Sequence, residues 1–429
     1  MPQYSPQFVS DLIERGNLPH ADILCRMALE RSPGDARYLY QLGRIAMRLG
    51  LAGFASQHFH AAMETSPSWA APRAALDRLM LRQGRPLVDN DLDLMAPPGI
   101  TGNRFLLVKS WGYGFWSDVD HVLGQLLVAE LTQRTPVVHW GHNSHYSDAA
   151  TANCFDLFFQ PVSEFSIRDL LDPELDFFPP KWNADNLLQE NLNKASGPWS
   201  RVNSISFLAR TERVLVSDFY TRILQIRNWI PAGHPLSGLS TNQIYRVLVS
   251  KYLVPRPEIT QAAESFRAEH LRCPYISVHI RGSDKIRENP VLNAVNSEYA
   301  GRIDRMLRRY PAYRIFLLTD DADQLDSYKS IYGDRVVSTR ARRSRGSAAV
   351  HDTPGTGNGA VRGREVMVDC YIACGGEFFL GNGFSNVSAM IRQLKDWAPG
   401  QVELLSQDIH NSYNYVLHAP ANRSPTESG

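Results

Sequence analysis

Long apolar runs are missing from this chain. No stretch of about eighteen or more apolar residues occurs, so no helix is expected to span a bilayer. The opening residues, MPQYSPQFVSDLIERG, lack the basic-then-apolar pattern of a secretory signal. Cysteine is scarce, with five in 429 residues: Cys25, Cys154, Cys273, Cys370 and Cys374. An odd, scattered set argues against a disulfide framework and for reduced thiols filling core space in a cytoplasmic protein. An excess of one charge is also lacking. The 45 basic residues are balanced by 44 acidic ones, which gives no reason to expect a nucleic-acid groove or a membrane-surface patch. What is present is ordinary for a globular chain, 43% apolar and 21% charged, over a length that calls for two or three domains.

Residues 1–95 read as helical repeats. With Leu42-Gly43 as the marker pair, Ala46, Ala55, Phe59, Ala62 and Pro67 fall where a tetratricopeptide repeat places them. One period of 34 residues earlier, Ala21, Cys25, Ala28 and Pro33 recur in register. Small alanines let paired helices touch, and the proline ends the second helix. Trp69–Arg82 reads as a further helix that caps the stack. Generic helical-hairpin packing produces the same pattern. Such a module can bind a peptide, a protein partner or a second subunit, or simply brace the next domain.

The proline-marked segment Arg85–Gly102 closes this module, and strands then alternate with helices. Arg104–Lys109 and Pro136–Trp140 read as strands flanking a helix from Ser117, as its cap, to Gln133. Between them, Gly112-Tyr113-Gly114 permits a tight turn and close backbone approach to an anion, although many βα turns carry such glycines for steric reasons alone. The proline- and aromatic-rich stretch 141–250 is hard to read and predicts no definite elements before Thr241. Helices are predicted at Thr241–Tyr252 and Glu258–Leu271, then a buried strand from Pro274. After it come helix Ser297–Arg309, strand Tyr313–Thr319, helix Ala322–Tyr332, strand Arg335–Ser338, helix Arg364–Cys374, strand Phe378–Gly381 and helix Val387–Asp396. This alternation predicts an α/β fold with mostly parallel sheets covered on both faces. The tail 419–429 is polar and reads as disordered.

Three strand ends carry polar residues that core packing does not require. The first is VHIRGSDK, with His279, Arg281, Asp284 and Lys285; a guanidinium there can grip a phosphate with two parallel bonds. The second is Asp320-Asp321, closing the run RIFLLTDD, where helix capping accounts for one of the pair. The third is NGFSNVS, in which Ser385 and Asn386 either cap the next helix or present its N-terminus to a phosphate. Ligands of open α/β sheets sit beyond the carboxyl ends of the strands, so the three ends together point to a nucleotide site.

These blocks, with VMVDCYIACGGEFFLGNGFSNVS, GYGFWSDVDHVLGQLLVAELTQRT and VLVSKYLVPRP, resemble in order and spacing the motifs of the α-1,6-fucosyltransferase family over residues 100 to 400. The resemblance implies a GT-B architecture: two Rossmann-like domains, 100–257 and 258–418, facing a cleft. It implies GDP-fucose as donor substrate, inversion, and no cofactor or metal. It also implies roles. Arg281 would pair with the β-phosphate, and Gly112 and Tyr113 would offer it backbone contacts. His279 and Asp369 would hold the guanosine, Ser385 and Asn386 the pyrophosphate end. Asp320 and Asp321 match the family's acidic pair and would order the cleft; Lys285 follows Asp284 in the signature. The family's second arginine is replaced by Gly282, and its catalytic carboxylate aligns with Asn289, leaving Glu288 or Asp284 as the base. GDP-mannose or another GDP-sugar is an alternative donor, and a decayed, non-catalytic binding protein is the rival from another class. Acceptor identity does not carry over from the resemblance; a glycan or a protein-linked hydroxyl is expected. Finally, Arg340, Arg342, Arg343, Arg345, Arg362 and Arg364 bracket a Gly/Ser/Thr-rich centre, which reads either as a lid over the donor or as a solvated loop.

Overall fold

The computed structural model describes residues 4–83, 103–282, 291–345 and 359–417. The chain begins with two helical hairpins and a fifth helix: α1 (Pro6–Glu14), α2 (Leu18–Arg31), α3 (Ala36–Leu49), α4 (Ala52–Thr65) and α5 (Ala70–Gln83). Gly43 is required where α3 and α4 cross, because a β-carbon there would stand 2.4 Å from the Phe59 ring. The 34-residue period shows in contacts as well as in sequence: Tyr38 donates to the Tyr4 carbonyl, and Arg44 to Ser10 Oγ.

Two parallel sheets come next, giving the two-domain α/β architecture that the resemblance implies. The first has the order β2-β1-β4-β3, with β1 (Phe105–Lys109), β2 (Thr135–His139), β3 (Phe177–Phe178) and β4 (Val214–Ser217). The second has the order β7-β6-β5-β8-β9, with β5 (Tyr275–Ile280), β6 (Arg314–Thr319), β7 (Val336–Val337), β8 (Phe378–Asn382) and β9 (Val402–Leu405). Strand order in this second sheet reverses between β5 and β8. Adjacent connections there leave on opposite faces and open a crevice at the carboxyl edge.

The covering helices are α6 (Phe115–Thr132), α7 (Thr241–Tyr252), α8 (Pro257–His270), α9 (Val291–Arg309), α10 (Ala322–Tyr332), α11 (Gly359–Cys374) and α12 (Asn386–Leu394). Several bounds differ from the sequence expectation. Helix α6 starts at Phe115 after Gly114, so Ser117 is not its cap; Ser117 and Asp118 already donate back to the Gly114 carbonyl. Helices α9 and α11 begin earlier than predicted, and β7 is two residues long. Strands β3, β4 and β9 were not anticipated. The tail beyond 417 and the segment 84–102 lie outside the described residues.

One apolar cluster runs through all three parts, from Val9 through α6 and α7 to Met367, Phe379 and Val416, whereas each sheet keeps a separate cluster on its other face. The halves therefore share a core along their base. Small residues make this close packing possible. A β-carbon on Gly363 would lie 2.5 Å from the Phe158 ring, and one on Gly124 would lie 2.0 Å from the Thr221 carbonyl oxygen. The second approach is backbone against helix, which has little room to give. Gly124→Ala is expected to destabilise the fold by about 1–3 kcal/mol through overpacking; a urea midpoint unchanged from wild type would contradict the tight approach of 221 to α6.

Candidate active site

Alternation along β5 sets up the site. Ile276, Val278 and Ile280 face the outer cluster of the second sheet, and Tyr275, Ser277 and His279 face the opposite way. There Tyr275 and Ser277 donate to the Ile372 and Ala373 carbonyls of α11, at 2.6 and 2.7 Å. His279 Nδ1 lies 2.6 Å from Ser388 Oγ on α12, and the same hydroxyl accepts the Asn382 N–H at 2.9 Å. Burial holds the His279 imidazole down to about 4, so it is neutral at physiological pH. It can exchange hydrogen bonds with a ligand without bringing charge.

Register places the next residues. Ile280 pairs with Thr319, so Arg281 leaves β5 beside the end of β6, where its guanidinium pairs with Asp320. Asp320 also accepts the Gly282 N–H at 2.9 Å. Asn296 on α9 donates to the Arg281 carbonyl and fixes the turn from the other side. Asp321 caps α10 by accepting from the Asp323 and Gln324 N–H groups. A β-carbon on Gly282 would sit 2.6 Å from the Asp321 β-carbon, so this position has no room for a side chain. The second arginine of the family pattern is excluded here by the capping aspartate.

Ser385 stands at the head of α12 without making a capping bond, while Asn386 Oδ1 accepts from Arg222 at 3.1 Å. Asp369 on α11 accepts from Thr339 Oγ1 at 2.7 Å, and burial pushes its carboxyl up to about 6. His279, Arg281, Asp320, Ser385 and Asn386 thus share the crevice edge between β6, β5 and β8. Asp284, Lys285, Glu288 and Asn289 lie outside the described residues. Of the arginines bracketing the Gly/Ser/Thr-rich segment, Arg345 pairs with Asp326 and Asp323, and Arg362 donates to the His145 carbonyl of the first half.

In the first half, the turn after β1 is organised by an acid that sequence reasoning passed over. Asp118 is buried on α6 and accepts from Ser110 Oγ and from the Gly112 and Tyr113 N–H groups at 3.0 to 3.2 Å. Those two N–H groups are therefore committed within the turn. Burial raises Asp118 to about 6, with the same three donors working against it. Tyr146, whose hydroxyl accepts the Phe115 N–H, is buried, and its phenol is pushed up to about 12, chiefly by that burial. Lysines line the same edge. Lys109 donates to the Leu187 and Gln189 carbonyls, Lys181 pairs with Asp218 at 2.6 Å, and Lys194 holds the Ser110 carbonyl.

Arg222 was missed as well. Fully buried, it lies 3.3 Å from Asp120 on α6 and donates to the Ile409 carbonyl at 2.7 Å and to Asn386. Tyr220 and Tyr245 donate to the two Asp120 oxygens. Burial alone would raise Asp120, but Arg222 and these hydroxyls outweigh it and hold the carboxyl below its usual range. An acid inside an apolar helix stripe was a legible signal for Asp118 and Asp120. Arg222 carried none, because its partners are remote in sequence. Among the described residues, no group of three or more His, Cys, Asp or Glu stands together as metal ligands would, and no helix is long and apolar enough to cross a membrane.

No protein-family model matches the chain, and no curated protein matches it. Among solved structures it is similar to NodZ alpha-1,6-fucosyltransferase soaked with GDP-fucose, at 20% identity and TM-score 0.44, over 68% of this chain and 93% of that one. Fucosyltransferase NodZ from Bradyrhizobium gives 19% and 0.43, over 68% and 92%. POFUT1 in complex with GDP gives 14% and 0.43, over 72% and 100%. At such identity and TM-score the likeness assigns no activity to this chain.

The geometry can be tested in two ways. Removing one partner of the buried pair, as in Arg222→Met, should cost about 3–5 kcal/mol. The double variant Asp120→Asn/Arg222→Met should cost less than the sum of the singles; strict additivity in urea unfolding would deny the coupling. For Asp369 the folded carboxyl keeps its proton up to about 6, whereas an unfolded one releases it near 4. The native state then binds more protons in that window, and this contribution to stability falls as pH rises through it. Asp369→Asn should remove that slope, seen as the wild-type-minus-variant difference in unfolding free energy from pH 4.5 to 7.5.

Proposed function

We propose that this chain is an inverting, metal-independent glycosyltransferase that moves fucose from GDP-fucose to a hydroxyl of a glycan or of a protein- or carrier-linked acceptor. The observation that carries this reading is the Arg281–Asp320 pair at the carboxyl edge of a doubly wound parallel sheet, beside the head of α12. Asp320 fixes the guanidinium at the crevice edge, where it would meet a β-phosphate. The helix head adds N–H groups and a partial positive charge for the same anion. Neutral His279 and Asp369 would hold the guanosine, the carboxylate accepting from guanine N–H groups.

In the reaction, the C1–O bond of fucose breaks and its electron pair leaves with GDP. The acceptor oxygen attacks from the opposite face, and its proton passes to a carboxylate, Asp284 or Glu288. Negative charge builds on the leaving diphosphate, so a fixed guanidinium there lowers the barrier directly. The signature motif, the resemblance it carries and the preformed site support a transferase. One observation favours a second reading, binding of a GDP-sugar without turnover: Gly282 is walled off by Asp321, so no second cation can succeed Arg281 in this turn. The amino-terminal helices would recruit the acceptor or a second subunit, and GDP-mannose is the alternative donor.

The test is binding and turnover across GDP-, UDP-, dTDP- and CMP-sugars with chelator present. GDP-fucose should bind and release GDP slowly; binding with no release, even with mixed glycan and peptide acceptors, would support the second reading. Arg281→Ala should lower kcat on the order of a hundredfold or more. Binding should weaken roughly tenfold from pH 7 to pH 5 as Asp369 takes up its proton, by the tenfold-per-unit arithmetic of a group titrating near 6. A flat profile would remove Asp369 from the base contact.

A further inference from the structure

Arg343 lies just after β7, in a segment that turns back across the carboxyl edge of the second sheet. Ser344 fixes the crossing: its N–H donates to the Asp320 carbonyl at 2.9 Å, and its own carbonyl accepts the Ala322 N–H at 2.9 Å. This carries Arg343 over the crevice rather than out to solvent. Its Nη1 donates to the Thr339 and Ala341 carbonyls at 3.2 and 2.7 Å. The Thr339 hydroxyl donates in turn to Asp369 at 2.7 Å, so Arg343 and Asp369 are held by the two ends of one residue. The other edge of the guanidinium, Nε and Nη2, is buried and makes no hydrogen bond among the described residues. Asp369 and Glu365 on α11 and Asp320 after β6 face the guanidinium, yet none of them takes this edge.

Two parallel N–H groups held in one plane, buried and unspent, are costly unless something accepts from them. Arginine offers this edge to a pair of acceptors with matching spacing. Guanine presents such a pair in O6 and N7, the commonest bidentate partner of arginine among the bases. Its N1–H and N2–H groups lie on the adjoining edge and need an acceptor. A carboxylate and a guanidinium mounted on one threonine supply the two polarities side by side.

Resting on the GDP reading above, we propose that Arg343 is the guanine-specificity residue, its Nε–H and Nη2–H meeting O6 and N7 while Asp369 meets N1–H and N2–H. Adenine then fails on both edges, because it offers a donor at position 6 and no N1–H. Pyrimidine nucleotides lack N7 altogether. The arginine would select the base and leave the bond-breaking step to Arg281.

Calorimetric binding of GDP, 7-deaza-GDP, IDP and ADP to the full chain tests this, in wild type and in Arg343→Met. Wild type should bind 7-deaza-GDP at least fivefold more weakly than GDP. Arg343→Met should bind GDP roughly tenfold to a hundredfold more weakly, the range of a good bidentate pair. It should also bind GDP and 7-deaza-GDP alike, because the partner of N7 is gone. IDP, lacking the 2-amino group, should lose affinity equally in both proteins, since Asp369 is intact in each. If wild type binds GDP in preference to ADP, yet binds 7-deaza-GDP equally well and loses nothing in Arg343→Met, this role is overturned and the GDP reading stands. If wild type shows no preference for GDP over ADP, the reading beneath it fails. The 7-deaza comparison uses the unaltered protein, so the outcome does not depend on whether the variant folds.

Discussion

The buried pair between Arg222 and Asp120 is the contact on which the rest of this molecule turns. Two charges without water are tolerable only when every remaining donor and acceptor finds a partner. Here Tyr220 and Tyr245 complete the carboxylate, and the Ile409 carbonyl and the Asn386 side chain take the guanidinium. These partners come from both halves. Separating the halves at this point would strand a cation in the core, so the head of α12 is tied to α6 by a cost and not merely by proximity. Glycine at 124 belongs to the same construction, since it lets the strand exit at 221–222 come close enough for Arg222 to reach Asp120.

From that fixed base the crevice results by geometry. Parallel strands deliver their carboxyl ends to one edge, and register brings Arg281 against Asp320. Polar groups there are organised before any ligand arrives. A site held this way gives up less freedom on binding than one that must be assembled. The first half is ordered by a different device, in which Asp118 gathers a glycine turn around a buried carboxylate. Each half thus uses one acidic side chain to shape backbone at a strand end.

Legibility in the sequence tracked the range of the forces involved. Strands β5 and β6 and the residues at their ends could be read, because apolar runs and abrupt polar endings are local signals. Helix α10 matched its prediction to the residue, since its caps Asp321 and Gly333 mark its ends in the chain itself. Strand β4 escaped because four residues between proline-rich and aromatic segments carry no period of their own. Its identity depends on neighbours 105–108 and 177–178, far along the chain. Arg222 escaped for the same reason on a larger scale, with partners 164 and 187 residues away. Gly282 was visible as a missing arginine, but its cause, a capping aspartate pressed against it, exists only in three dimensions.

The amino-terminal helices meet the rest of the chain through α2. Asp22 and Arg26 pair there at 3.2 Å, and the arginine stacks 5.3 Å over Trp229; the helix Tyr413–Leu417 lies against α2 as well, and Tyr413 accepts from Asn228. Burial raises Asp22, and the later residues are part of what covers this face of α2. A ribosome makes α2 well before Tyr413. During synthesis the helical hairpins must wait with that face uncovered, and the helix Tyr413–Leu417 seals it only after the residues between have emerged. Docking of the module against Tyr413–Leu417 therefore reports that the chain between them has been made.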